Sequence, residues 1–143
     1  MEKATPTEHI KIPFQYEVKR TNRWRFDFPE EFEIESWLIQ SVSLPKFTKD
    51  EKGNFTEFKM LLTFINPIGP SSDTKIYHNF ITKNKKDFEC KLFLLDPTGE
   101  KVSLWDLKIN DVISIDFGQL DYGDDSINII EMILNVEKAI LRY

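Results

Sequence analysis

Residues 104–143 read LWDLKINDVISIDFGQLDYGDDSINIIEMILNVEKAILRY, and the secondary structure assigned to them decides the fold. The stretch is apolar and β-branched, and turn signals divide it. Val102–Ile109 reads as one strand, Asn110-Asp111 as a short turn, and Val112–Phe117 as the next strand. Gly118–Asp125 reads as a loop. The last segment admits two assignments. Ile130, Met132, Leu134, Val136 and Ile140 alternate as in a strand. Ile129, Ile130, Ile133, Leu134, Ile140 and Leu141 also satisfy helical spacing, with Asp125 or Ser126 as a cap. Five isoleucines and a valine across 126–143 weigh toward a strand, because β-branched side chains fit a pleated surface. The fold assignment rests on that strand.

Upstream, Phe88–Leu95 (FECKLFLL) is a strand that turns through Asp96-Pro97-Thr98-Gly99 into Val102–Ile109. Before it the residues predict one helix, over about 71–86. Ser71, Ser72 and Asp73 offer N-caps, and Ile76, Tyr77, Phe80 and Ile81 share a face. Lys83, Lys85 and Lys86 complement the negative end of the helix dipole. Phe55–Ile65 is a strand closed by Asn66-Pro67 and Gly69-Pro70. Trp37–Leu44 is another, stopped by Pro45. Between them Lys46–Asn54 is a charged loop or hairpin tip, with turn chemistry at Lys52-Gly53-Asn54. Trp24, Phe26 and Phe28 alternate with Arg25 and Asp27 as a half-buried strand, and Pro29 ends it. Glu30–Glu35 is acidic, with Phe32 and Ile34 between the charges. Residues 1–14, with Pro6 and Pro13, read as an extended N-terminal arm, leaving 15–143 as one domain. The expected architecture is mainly β (α+β): two packed antiparallel sheets forming a β-sandwich or barrel, with one flanking α-helix.

The length of 143 residues suits one domain with a real core. A net charge of −5 argues against a protein that holds nucleic acid by neutralising phosphates. Cys90 is the sole cysteine, which excludes an intrachain disulfide and suits a reducing compartment. The N-terminal residues lack an apolar signal-peptide core, and no run reaches the roughly 18 apolar residues of a membrane span. The expectation is a protein of the cytoplasm of the cell that makes it, with no membrane partner.

Candidate chemistry is sparse. The two histidines, His9 and His78, lie far apart in sequence and do not have metal-ligand spacing. Cys90 sits mid-strand without an evident base, as a buried structural cysteine would. Asp121, Asp124 and Asp125 around Gly123 are the best oxygen-ligand cluster for calcium, but their spacing fits no EF-hand, and a turn explains them equally well. Glu30, Glu31, Glu33 and Glu35 have nothing to raise a pKa, and read as a solvated face. Trp24, Trp37 and Trp105 could stack on a sugar, yet Trp24 and Trp37 fall in alternating strand patterns that suit core or interface better. We therefore expect no enzyme, no cofactor and no metal.

In order along the chain, three segments resemble the bacteriophage tail tube family, as found in contractile tails and injection systems. The first is Asn22, Trp24, Phe26 and Phe28. The second is Gln40-Ser41-Val42-Ser43-Leu44-Pro45 before a charged loop. The third is Leu104–Tyr122, which runs into Ile115-Asp116-Phe117-Gly118-Gln119-Leu120-Asp121-Tyr122 and then a long β-rich strand. The likeness spans about Asn22 to Tyr143 and departs from the family in a short middle section, Pro67–Lys86, and in the N-terminal arm. It implies a viral structural protein: a tail tube subunit that self-assembles into stacked homo-hexameric rings around a channel for DNA, which passes without specific binding. Its place would be the tail of a virion assembled in the host bacterial cytoplasm, beside other tail or baseplate proteins. A baseplate, tube-initiator or tube-terminator ring of the same fold is the near alternative. A small β-sandwich carbohydrate-binding module using Trp105 or Trp37 is the alternative from another class. Free strand edges invite pairing between copies, so the expected subunit interface is the hairpin carrying Trp37, Ile39, Val42, Leu44, Lys49, Glu51, Phe55, Phe58, Met60 and Leu62, with Lys46–Asn54 as the contact between rings.

Overall fold

A computed structural model of the chain describes residues 22–69 and 72–143. The expected arm, 1–14, and His9 lie outside the described residues. Among the described residues six strands form one antiparallel sheet: β1 Trp24–Asp27, β2 Ile39–Val42, β3 Phe58–Ile65, β4 Phe88–Leu95, β5 Lys101–Asp116 and β6 Ile129–Leu141. Their order across the sheet is β1-β4-β5-β6-β3-β2, and the sheet curls into a nearly closed barrel. The architecture is mainly β with one short helix, as expected, and the facing walls belong to one continuous sheet.

The C-terminal segment is a strand. β6 pairs with β3 from Phe58↔Val136 to Ile65↔Ile129, and with β5 on its other side. Its alternate residues Ile130, Met132, Leu134 and Val136 are completely buried. Met60, Leu62 and Phe64 of β3 face them, and Phe26, Cys90, Leu92, Leu107 and Ile109 complete the inner face. Period-two burial on one face is what a half-buried strand requires.

Phenylalanines plug one mouth of the barrel. The Phe28 ring centroid lies 5.2–6.2 Å from those of Phe26, Phe32, Phe64, Phe80 and Phe88. Phe80 comes from helix α1, which starts at Ser72–Ile76 and continues through Thr82 as a wider turn, with the Lys83 N–H bonded to the His78 carbonyl at 3.0 Å. The Asn66 side chain caps the helix start: its Oδ1 accepts from the Asp73 N–H, and its Nδ2 donates to Asn128 at 3.0 Å. Buried Asn79 donates to the carbonyls of Phe32 at 2.7 Å and Lys75 at 2.9 Å, tying the Glu30–Phe32 turn to the helix.

Four expectations need correction. The helix ends at Thr82, because Asn84 and Asp87 take positive φ (48° and 52°) that a helix cannot continue through. Ile76 and Phe80 are buried, but Tyr77 and Ile81 are half-exposed, so the apolar face is narrower than the spacing suggested. Trp37–Leu44 is not one strand: Ser36–Leu38 is a 3₁₀ turn and only Ile39–Val42 pairs. Asn110-Asp111 is not a turn. It lies inside the continuous strand β5, whose register slips there against β6, so turn-forming residues serve a bulge.

Candidate functional site

Strand register places the loops at two ends. One end carries the segment 43–57, the Asp96–Glu100 turn and the C-terminal residues; the other carries Glu30–Leu38, α1 and the loop 117–128.

At the first end, the 43–57 segment folds back over the barrel mouth. Lys49 and Phe55 form an isolated bridge, and the Asp50 carboxylate accepts the N–H groups of Lys52 and Asn54 at 2.9 and 3.0 Å. Gly53 takes φ 82° at the tip, a conformation that favours glycine. Phe47 lies 5.7 Å from Phe55, 5.5 Å from Phe58 and 6.1 Å from Trp105, and the Lys49 ammonium sits 5.4 Å above the Phe55 ring. Leu44, Phe47 and Phe55 remain about half-exposed, so this tip presents an apolar, aromatic surface to solvent.

Of the expected interface residues, Trp37, Leu44, Lys49, Glu51 and Phe55 are exposed. Val42 and Phe58 are partly buried against the core. Ile39, Met60 and Leu62 are corrections: they point into the barrel at 5%, 0% and 0% exposure, because alternate residues of a strand face opposite sides. Sequence reasoning missed Phe47, which no periodicity marks within its loop. It also missed a free sheet margin. β4 begins opposite Ile109, so Asp111–Asp116 of β5 pairs with β6 alone among the described residues. β2 forms another margin, with β3 alone beside it among the described residues.

The remaining candidates are not assembled into a reaction centre. Among the described residues no three His, Cys, Asp or Glu side chains converge as metal ligands would. In the acidic loop Asp121 accepts the Gly123 N–H and Asp124 that of Ser126, both at 2.9 Å, and the Ser126 bonds hold the Asp124 carboxyl below its usual range. Glu33 is held low by its hydrogen bond to Lys75 at 2.6 Å, the opposite of what a general acid needs. Burial pushes the Cys90 thiol well up, away from the thiolate a nucleophile requires. His78 is exposed on α1. Lys85 stacks over Phe32 at 4.4 Å. The tryptophans form no common platform: Trp24 and Trp37 border one groove, whereas Trp105 packs beneath Phe47. No described helix is long and apolar enough to cross a membrane.

No family model matches the chain, and no curated protein does. Solved structures do. A chain from the sheath/tube terminator of an extracellular contractile injection system, PVC, in the extended state superposes with a TM-score of 0.68 at 17% identity, over 92% of this chain and 100% of that one. A chain of the anti-feeding prophage cap, the AFP tube terminating cap, gives 0.68 at 16% identity, over 96% and 99%. A chain from the PVC sheath-tube complex gives 0.64 at 16% identity, over 99% of both chains. At these identities the likeness is one of fold: the chain shares the fold of these injection-system tube and cap chains.

Proposed function

We propose that this chain is a structural subunit of a phage-tail-like contractile particle and forms a ring of its tube. One observation carries the reading: among the described residues the sheet leaves unlike margins unpaired, β2 at one end of the strand order and Asp111–Asp116 of β5, besides the outer side of β1. Pairing β2 of one copy with the β5 margin of the next joins two different surfaces, and a head-to-tail contact of that kind generates a ring when its rotation closes. The strands β2, β3, β6 and β5 of successive copies would then run as one sheet around a channel. A homo-hexamer is the expected ring.

Two of the outward rows of those strands are polar, and the row between them carries Leu61 and Ile133. Ser41, Thr63, Glu131 and Asp116 lie in one register row, and Lys59, Asn135 and Asp111 lie in another. With this face lining the channel, carboxylates near Asp116 repel phosphate and let DNA pass without sticking. The aromatic tip around Phe47 and Phe55 supplies the contact to the next ring or to a neighbouring tail protein.

A second reading places the ring at the end of a tube, and the likeness to chains from a tube terminator and a tube cap supports it. Negative-stain microscopy of the purified protein separates the two. Long tubes identify a tube-body subunit, and single rings an end ring. A protein that stays monomeric at high concentration, alone and beside partner tail proteins, refutes both.

A further inference from the structure

The loop 117–128 carries large apolar side chains in the open. Leu120 and Tyr122 are almost wholly exposed, and Ile127 largely so. Hydrogen bonds hold the loop in this shape. Asp116 accepts the Gly118 N–H at 2.8 Å, and the Asn128 side chain donates to the Phe117 carbonyl at 3.2 Å. Asp121 and Asp124 close the two turns between them. Leu120, Tyr122 and Ile127, with Asp121 and Asp124, border a hollow of about 610 Å³, which has room for an aromatic side chain. The loop holds three aspartates, Asp121, Asp124 and Asp125, and no cationic residue. Exposed apolar surface beside charge of one sign suits a partner that is apolar and cationic.

The opposite end of the same chain carries that complement. Phe47 and Phe55 stand about half-exposed on the 43–57 tip, and the Lys49 ammonium lies over the Phe55 ring. Lys46 and Lys52 belong to the same segment, whereas the Asp50 carboxylate is turned to the N–H groups of its own turn. Tip and loop are separated by β3, 8 residues long, which pairs from Phe58↔Val136 to Ile65↔Ile129. That is roughly 25 Å, so the two surfaces do not meet within one chain. A second copy displaced along the strands sets its tip on this loop, and a head-to-tail contact of that kind repeats as an open stack. Loop against loop would instead oppose like charges.

We infer that the hollow of the 117–128 loop receives Phe55 of a second copy's tip, with the Lys49 ammonium against the loop's aspartates. As a contact between stacked rings it rests on the ring reading above. The test uses two full-length variants, Glu51→Cys on the tip and Gln119→Cys on the loop. Both positions are exposed, and Cys90 stays buried. Mixed and oxidised, they should form the 51–119 disulfide faster than either forms its homodimer. Adding Lys49→Glu to the tip variant should slow that link several-fold, and Asp125→Lys in the loop variant should restore it. Mixed links no faster than homodimers, or a rate indifferent to Lys49→Glu, overturn the inference. Micrographs of the same samples separate it from the ring reading. Single rings without the link overturn the contact and leave the ring reading standing, whereas a link in protein that never forms rings upholds the contact and rejects the rings.

Discussion

Replacing Phe28 tests the account of the core most directly. Its ring is 7% exposed and lies within 6.2 Å of five other phenylalanine rings contributed by β1, β3, β4, α1 and the Glu30–Phe32 turn. A Phe side chain buries about 200 Å², so at about 25 cal/mol per Å² its removal forfeits up to about 5 kcal/mol, less what alanine retains. The cavity adds cost where neighbours cannot collapse, and Phe→Ala changes in cores typically cost about 3–5 kcal/mol. We expect about 4 kcal/mol for Phe28→Ala. Phe28→Leu keeps most of the apolar volume and loses the ring contacts, so it should cost about 1–2 kcal/mol. The total stability of a domain this size is of the order of 10 kcal/mol, so both variants should remain folded. Equilibrium urea unfolding followed by tryptophan fluorescence measures both, and at about 2–4 °C per kcal/mol the alanine variant should melt about 8–16 °C lower. If Phe28→Ala costs under about 1 kcal/mol, or no more than Phe28→Leu, the phenylalanine plug does not anchor α1 to the sheet.

Other perturbations address the surface, the turns and the acid limb. Asp106 accepts hydrogen bonds from Arg142 and from Lys91 at 2.8 Å, and these hold its carboxyl below the usual range. Its contribution is therefore present above the unfolded value of about 4 and lost as pH falls through the lower folded value, and Asp106→Asn should flatten that part of the acid unfolding curve. Gly118 has φ 89°, and an added Cβ would lie 3.0 Å from the Asn128 Nδ2 and the Ile129 carbonyl; Gly53 has φ 82° with open space around it. Gly53→Ala should cost about 1–2 kcal/mol from backbone conformation alone, and Gly118→Ala clearly more in the same thermal melts. Phe55 is 59% exposed, so Phe55→Ser should cost the subunit only about 0.5–1 kcal/mol. The same change should abolish stacked rings in micrographs; undiminished stacking would remove the aromatic tip from the proposed ring contact.

What was legible beforehand was local. Trp24, Phe26 and Phe28 alternate, and so do Ile130, Met132, Leu134 and Val136, so each strand declared which face it buries. At the proposed site, exposed Leu44, Lys49 and Phe55 could be named from their charged, turn-forming surroundings. Ile39, Met60 and Leu62 could not be told from them, because a run such as FKMLLTFI does not state which side of its strand meets the core.

The sequence by itself determined strands, turns and one helix, because the side-chain period and turn chemistry act between residues a few positions apart. Tertiary structure decided the rest. Ile129–Leu141 satisfies both periods, and only pairing with β3 on one side and β5 on the other selects the strand. Asn110-Asp111 has the chemistry of a turn, yet its neighbours pair with β6 on both sides of it, so the chain runs straight through with a bulge. The β1-β4-β5-β6-β3-β2 order, and with it the margins at β2 and Asp111–Asp116 that no described strand covers, arises from pairings between residues far apart in sequence. No local pattern encodes such margins, because an edge is defined by the strand that is not beside it.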